Sequence, residues 1–312
     1  MKENVKMKKY KLFGLVIESD IDFLQLITED FDDDNDIVLV HAGRISEIVN
    51  KELEGENVNY KVGLKYSCFR NSYGYYVIDG CNEIIYEAKD GADIEAIKAF
   101  ILGYCIAMLL LHRRILSIHC SAVCDENDTN AGAILIAGES GSGKSSLTRK
   151  LLESGFKVMT DDIAAVKIDS LDNTDDKCYV YPAFPYQKLC RNEVEKRNFD
   201  PSELIYINED KDKFLVPLKD TFVKEPRKLK GMVFLAISDV EEISVQRLSG
   251  IMQLMALKQN LFLRKFYGDW QKDPEILQLC LQISEKCPVY LIKRPKEGNT
   301  LSEIAEKVKT LF

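Results

Sequence analysis

Apolar and polar positions follow two regimes along this chain. Up to about residue 90, apolar residues come in short runs separated by polar turns, the pattern of half-buried strands. Strand-like runs fall at 10–17, 36–40, 61–68 and 73–78, and a turn at 79–82 feeds another at 83–87. Residues 30–36 form an acidic loop. From residue 93 the period changes. Residues 93–111 read as a helix with Asp93 as N-cap, an almost wholly apolar second half, and Arg113 and Arg114 at the negative end of its dipole. A strand at 116–123 and a polar turn at 125–130 lead to the apolar strand 133–137. The helix 146–154 follows, with Leu147, Leu151 and Leu152 on one face and Gly155 as its stop. Strands are expected at 157–160, 164–168, 232–237, 243–248 and 289–293, and an acidic loop at 170–177. Helices are expected at 249–257, 274–286 and from Thr300 onward. The pattern predicts an α/β (α+β) chain: a β-rich domain at 1–92 and an α/β domain at 93–312.

Composition narrows the class. The chain has 312 residues, 46% hydrophobic and 29% charged, as expected of a soluble globular protein. Its formal charge of −8 argues against sequence-independent nucleic-acid binding, which needs a basic face. The nine cysteines show no C-x-x-C spacing and read as buried free thiols in a reducing compartment. No apolar leader follows the first lysines, and the longest apolar stretch, 99–111, reads as a buried helix too short to span a bilayer. A cytoplasmic protein without membrane contact is expected.

Candidate chemistry concentrates at 138–145, where GESGSGKS fits the phosphate-binding loop G-x-x-x-x-G-K-[ST]. Glycines let successive backbone N–H groups turn inward on phosphate oxygens, the lysine reaches the outer phosphates, and the serine hydroxyl ligates Mg²⁺. Gly138, Ser140, Gly141, Ser142, Gly143, Lys144, Ser145 and Ser146 are the candidate nucleotide-binding residues. An apolar strand before the loop and a helix after it supply the required context, because the helix N-terminus adds positive charge to the anion site. Asp161 and Asp162 end the next strand and could hold Mg²⁺ or accept a proton. His119, one of three histidines, is either a hydrogen-bonded core residue or a group contacting a catalytic carboxylate or the γ-phosphate. Lys188, Arg191, Lys196 and Arg197, and less strongly Arg247 and Arg264, are candidate cations for a transferred phosphate.

Taken together, YKLFG at 10–14, IHCSA at 118–122, the loop at 138–146, and LESG at 152–155 leading to TDD at 160–162 resemble the HPr kinase/phosphorylase group, more closely its divergent HPr-kinase-related branch. The order His, phosphate loop, Asp-Asp carries the resemblance, which is strongest over 93–168. It implies a core similar to phosphoenolpyruvate carboxykinase, with the loop on a mixed sheet. It implies ATP and Mg²⁺ as cofactors and a serine hydroxyl of a peptide or small protein as acceptor. Carried over by position, His119, Lys144, Ser145, Asp161 and Asp162 match that site: Asp161 as base oriented by His119, and Ser145 with Asp162 on the metal. The chain departs from the group after the Asp pair. The signature L-E-I-R-G-x-G has no counterpart near YVYPAFP at 179–185, which argues against HPr as substrate and against the reverse phosphorolysis, while the resemblance to the branch implies a small, ribosomally made peptide as acceptor. The alternatives are a nucleotide-sensing scaffold and a small-molecule kinase. Nucleotide and acceptor are the expected partners, no nucleic acid is expected, and self-association is left open.

Overall fold

The run at 10–17 is not one strand. In the computed structural model the chain turns back at Phe13 and Gly14, giving an antiparallel pair, β1 (Lys8–Leu12) and β2 (Leu15–Ser19). Residues 7–28, 36–125, 132–169, 177–208, 212–266 and 269–312 are described. The expected loops at 30–36 and 170–177 and the turn at 125–130 lie outside them, except for Asp36, Asp125 and Lys177. By compactness the chain divides into two units. The first holds Met1–Ile115, Gln187–Pro217 and Lys265–Lys272; the second holds Leu116–Tyr186, Leu218–Arg264 and Asp273–Phe312.

In the first unit β2 is followed by β3 (Ile37–Ala42), helix α1 (Ser46–Glu52), β4 (Tyr60–Lys61), β5 (Tyr66–Arg70), β6 (Gly74–Asp79) and β7 (Glu83–Ala88). They form one mixed sheet in the order β1-β2-β3-β7-β6-β5-β4. Helix α1 has no counterpart in the sequence reading. It covers the sheet with Val49 and Leu53, which pack with Cys68 and Val77. The helix expected at 93–111 runs as α2 (Ile94–Phe100), a π-helical stretch (Ile101–Cys105) and α3 (Ile106–His112). Asp93 caps it, accepting a hydrogen bond from the Glu95 amide at 2.9 Å. The apolar stretch judged too short to span a bilayer is thus part of a 19-residue helix long and apolar enough to do so, though 67% of its apolar window is buried inside the protein. That burial gives the apolar face a protein environment.

The second unit carries β8 (Leu116–His119), β9 (Ser121–Asp125), β10 (Ala133–Gly138), α4 (Lys144–Leu152), β11 (Phe156–Thr160), β12 (Ile163–Asp169) and β13 (Lys177–Tyr181). The chain then supplies the first unit with β14 (Tyr186–Cys190), α5 (Arg191–Lys196), β15 (Ile205–Asn208) and β16 (Asp212–Pro217), a small sheet in the order β14-β16-β15. Back in the second unit come β17 (Arg227–Ile237), β18 (Ser244–Arg247), α6 (Gly250–Gln259), α7 (Pro274–Lys286), β19 (Val289–Arg294) and α8 (Leu301–Leu311).

The sheet of this unit is mixed. β10, β17 and β19 run parallel to one another, while β9 lies antiparallel on the other edge of β10. All six residues of β10 are buried. Leu147 and Leu151 of α4 meet Ile304, Ala305 and Val308 of α8 over Ile136 and Val233. Each fully buried aliphatic side chain there stabilises the fold by about 1.5–3 kcal/mol. This packing fixes where α4 begins, and so where the phosphate loop ends.

Candidate functional site

Two neighbouring chains bend at the same place beside β10. β8 passes into β9 through Cys120 alone, and β11 passes into β12 through Asp161 and Asp162 alone. β8 pairs with β12, His119 opposite Ile163, while β9 pairs with β11 across a register shift at Ala122. Each chain therefore changes pairing partner at this junction, and its polar residues project where the ladder is interrupted. Thr160, buried, donates to the Ile163 carbonyl at 2.6 Å and so closes the turn that carries the two aspartates.

Ser121 Oγ donates to both the backbone oxygen and Oδ1 of Asp161, each at 3.2 Å. His119 Nε2 lies 3.6 Å from Asp162 Oδ1, with the imidazole half exposed at 51% and the carboxylate at 26%. The imidazole edge meets Phe262, with ring centroids 6.2 Å apart, and the His119 amide donates to the Asn260 carbonyl at 2.7 Å. The core-residue alternative for His119 is not what the fold shows, since the side chain is exposed and next to a carboxylate. The geometry also gives Asp161 a holder, Ser121, that sequence reasoning missed.

The loop at 138–145 sits between β10 and α4 as its pattern requires. Gly138 has φ +144°, and a Cβ there would stand 2.4 Å from the Leu235 carbonyl oxygen, so only glycine fits. The Ser142 amide donates to the Glu139 carbonyl at 3.1 Å, which folds the loop back on itself. Helix α4 starts after Gly143 with no side-chain cap, leaving its first amides and dipole for an anion. Ser142 Oγ is buried, 3% of the residue being exposed, and has no hydrogen-bond partner among the described residues. A buried hydroxyl without a partner is costly unless a ligand satisfies it. Ser145 is half-buried, and Ser140, Gly141 and Ser146 are exposed.

Lys144 Nζ donates to the carbonyls of Gly138 at 2.7 Å and Glu139 at 3.1 Å. An ammonium has three donors, so one is left for a phosphate oxygen. Burial holds the ammonium below the ordinary lysine range, and the charges of Asp162, Cys120, Asp161 and Glu139 work against that shift. Both aspartates are therefore near enough to act on Lys144, Asp162 the more strongly. Loop, lysine and carboxylate pair thus converge within the second unit.

Of the candidate cations, Lys188, Arg191, Lys196 and Arg197 belong to the first unit, where Arg191 lies over the Phe214 ring. Arg247 stands opposite Tyr290, at the end of β18 away from Arg294, and Arg264 donates to the Gln259 carbonyl. The arginine at the loop is Arg294, the last residue of β19, whose Nε donates to the Ser142 carbonyl at 3.0 Å. No short sequence motif marks it. Among the described residues, no group of three or more His, Cys, Asp or Glu is placed to hold a metal by itself. Oxygen donors that suit Mg²⁺ stand at Ser145 and Asp162, a set that needs phosphate oxygens to complete it. All nine cysteines are free; seven are buried, Cys190 is half-buried and Cys81 is exposed.

No protein-family model matches the chain. No curated protein matches it. Among solved structures the chain is similar to the HPr(Ser) kinase/phosphatase from Coxiella burnetii, at 13% identity and a TM-score of 0.31, over 62% of this chain and 94% of that one.

Proposed function

We propose that the protein is a kinase that transfers the γ-phosphoryl group of ATP to a serine hydroxyl of a peptide or small protein. The observation that carries this reading is the convergence of a glycine-shaped anion loop, Lys144 and the Asp161–Asp162 turn at one strand junction. A loop alone would serve binding. The carboxylate pair adds a place for a proton to go. The antiparallel β9 beside β10 supports a core like that of phosphoenolpyruvate carboxykinase over the wholly parallel sheet of most phosphate-loop proteins.

Loop amides, Ser142 Oγ and the third donor of Lys144 take the phosphates. Mg²⁺, when bound, neutralises charge between the β- and γ-phosphates, and Ser145 and Asp162 would hold it. Asp162 lies beside His119, and its charge acts on Lys144 more strongly than that of Asp161. Asp161, held by the neutral Ser121 hydroxyl, accepts the serine proton as the serine oxygen bonds to phosphorus and the bond to the bridging oxygen breaks. Ser121 joins His119, the expected partner of the base, in orienting it.

Labelled ATP with serine-bearing peptides encoded beside the gene tests this in single turnovers. Wild-type protein should label a peptide serine and Lys144→Ala should not. Asp161→Asn should bind Mg-ATP normally but transfer at least about a hundredfold more slowly, and Asp162→Asn should shift the Mg²⁺ requirement. Binding of ATP with no transfer to any acceptor would favour a nucleotide-sensing scaffold.

A further inference from the structure

The parallel register sets Gly138, Leu235 and Ile292 side by side across β10, β17 and β19. Arg294 lies two residues beyond that line, at the carboxyl end where the phosphate loop also begins. Two residues advance a strand by about 6.6 Å, and neighbouring strands lie about 4.8 Å apart. A guanidinium reaching back across β17 therefore meets the loop. Nε donates to the Ser142 carbonyl at 3.0 Å and Nη1 to the Pro295 carbonyl at 3.2 Å. The group lies against Gly143, where a Cβ would stand 3.7 Å from Nε and 3.8 Å from Nη2. Arg294 is half-buried, and no carboxylate among the described residues pairs with it. A partly desolvated cation without an acidic partner is costly unless an anion completes it.

From this placement we infer that Arg294 is a nucleotide-binding residue that brings Nη2 and its positive charge to the phosphate chain beside Gly143. Its Nε meanwhile holds the Ser142 carbonyl. The inference rests on the nucleotide reading above and extends it to a residue outside the loop motif. It also accounts for why the loop has a long cationic neighbour at all: hydrogen bonding to a carbonyl needs no charge, and a glutamine could supply it.

The full chain, titrated with Mg-ATP by calorimetry, tests this with Arg294→Ala, Arg294→Lys and Arg294→Gln. Arg294→Ala should weaken binding at least about tenfold, the usual worth of a charge-assisted hydrogen bond. Arg294→Lys should recover part of that loss, since the charge remains while the planar fork is gone, and Arg294→Gln should lose as much as alanine. Melting of the ligand-free variants checks the fold; if alanine unfolds the protein, the lysine and glutamine pair decides. Wild-type affinity in Arg294→Ala or Arg294→Gln overturns the inference, as does rescue by glutamine equal to lysine, which would reduce Arg294 to a brace. Lys144→Ala in the same series separates the two readings. If it abolishes binding while the Arg294 variants keep it, only the role of Arg294 falls; if wild type binds nothing, both fall.

Discussion

Lys144 is the residue whose chemistry is most exposed to measurement. Burial keeps its ammonium below the ordinary value of 10.5, so between the lowered value and 10.5 the folded protein holds a neutral amine where the unfolded chain holds a charge. Its contribution to stability is fully present above 10.5 and is lost as pH falls through the lowered value, because the amine must then charge in a dry place. Phosphate oxygens at Nζ reverse that bias. Nucleotide binding in this alkaline window should therefore take up protons, and calorimetry in two buffers of different ionisation enthalpy would count them. Equal heats in both buffers would mean that no anion reaches Lys144. The sequence marks this lysine plainly, since it stands in a local motif. Ser121 and Arg294 were not legible, because nothing near them in the chain says what they face. Ser121 meets Asp161 across a strand crossing, and Arg294 meets Ser142 through the register of three strands.

At the scale of elements, what local pattern could express was read well, and what tertiary pairing decides was not. Helix α7 begins at Pro274 and ends at Lys286 as expected, with Asp273 as its cap. The run at 116–123 has the local pattern of one strand yet breaks at Cys120, since the break comes from exchanging β12 for β10 and β11 as neighbours. The region from β13 to β16 was not read as strands, lacking the clean alternation of the N-terminal hairpins. The loop glycines allow a sharper statement about an element. A methyl on Gly138 would meet the backbone of β17 at 2.4 Å and the Ser142 hydroxyl at 2.7 Å, on a backbone at φ +144°. Gly141, at φ +84°, faces open space. Gly138→Ala should cost about 3 kcal/mol through overpacking and strain together. Gly141→Ala should cost about 1–2 kcal/mol from conformation alone. Urea unfolding of both would tell. Equal losses would show that space beside β17 is not what selects glycine at the start of the loop.

For the whole molecule, the order of the chain and the order of the units part company. The chain passes between units at 115/116, 186/187, 217/218, 264/265 and 272/273. The N-terminal portion was read as separable after residue 92, a boundary that periodicity suggests because strands give way there to a helix. Contacts within the first unit run past that boundary. Phe266, far along the chain, packs its ring 4.6 Å from Tyr60, 6.3 Å from Phe69 and 4.9 Å from Tyr104. Tyr104 in turn stacks on Phe100 at 5.7 Å, and Phe100 lies 6.3 Å from Phe69. A fragment of residues 93–312 keeps Phe100, Tyr104 and Phe266 and removes Tyr60 and Phe69, stripping one side from an aromatic cluster. Rings bury large areas, and pairs add about 0.5–1.5 kcal/mol each beyond that burial. The apolar helix from Ile94 to His112 would lose the sheet of its own unit as well. Expressed alone, the fragment should self-associate or melt well below the full chain, while the full chain carrying Phe266→Leu should stay monodisperse with a modest loss of melting temperature. Size-exclusion chromatography and thermal melts decide it. A monodisperse fragment that binds nucleotide as the full chain does would support the boundary at 92 and show residues 1–92 to be dispensable to nucleotide binding.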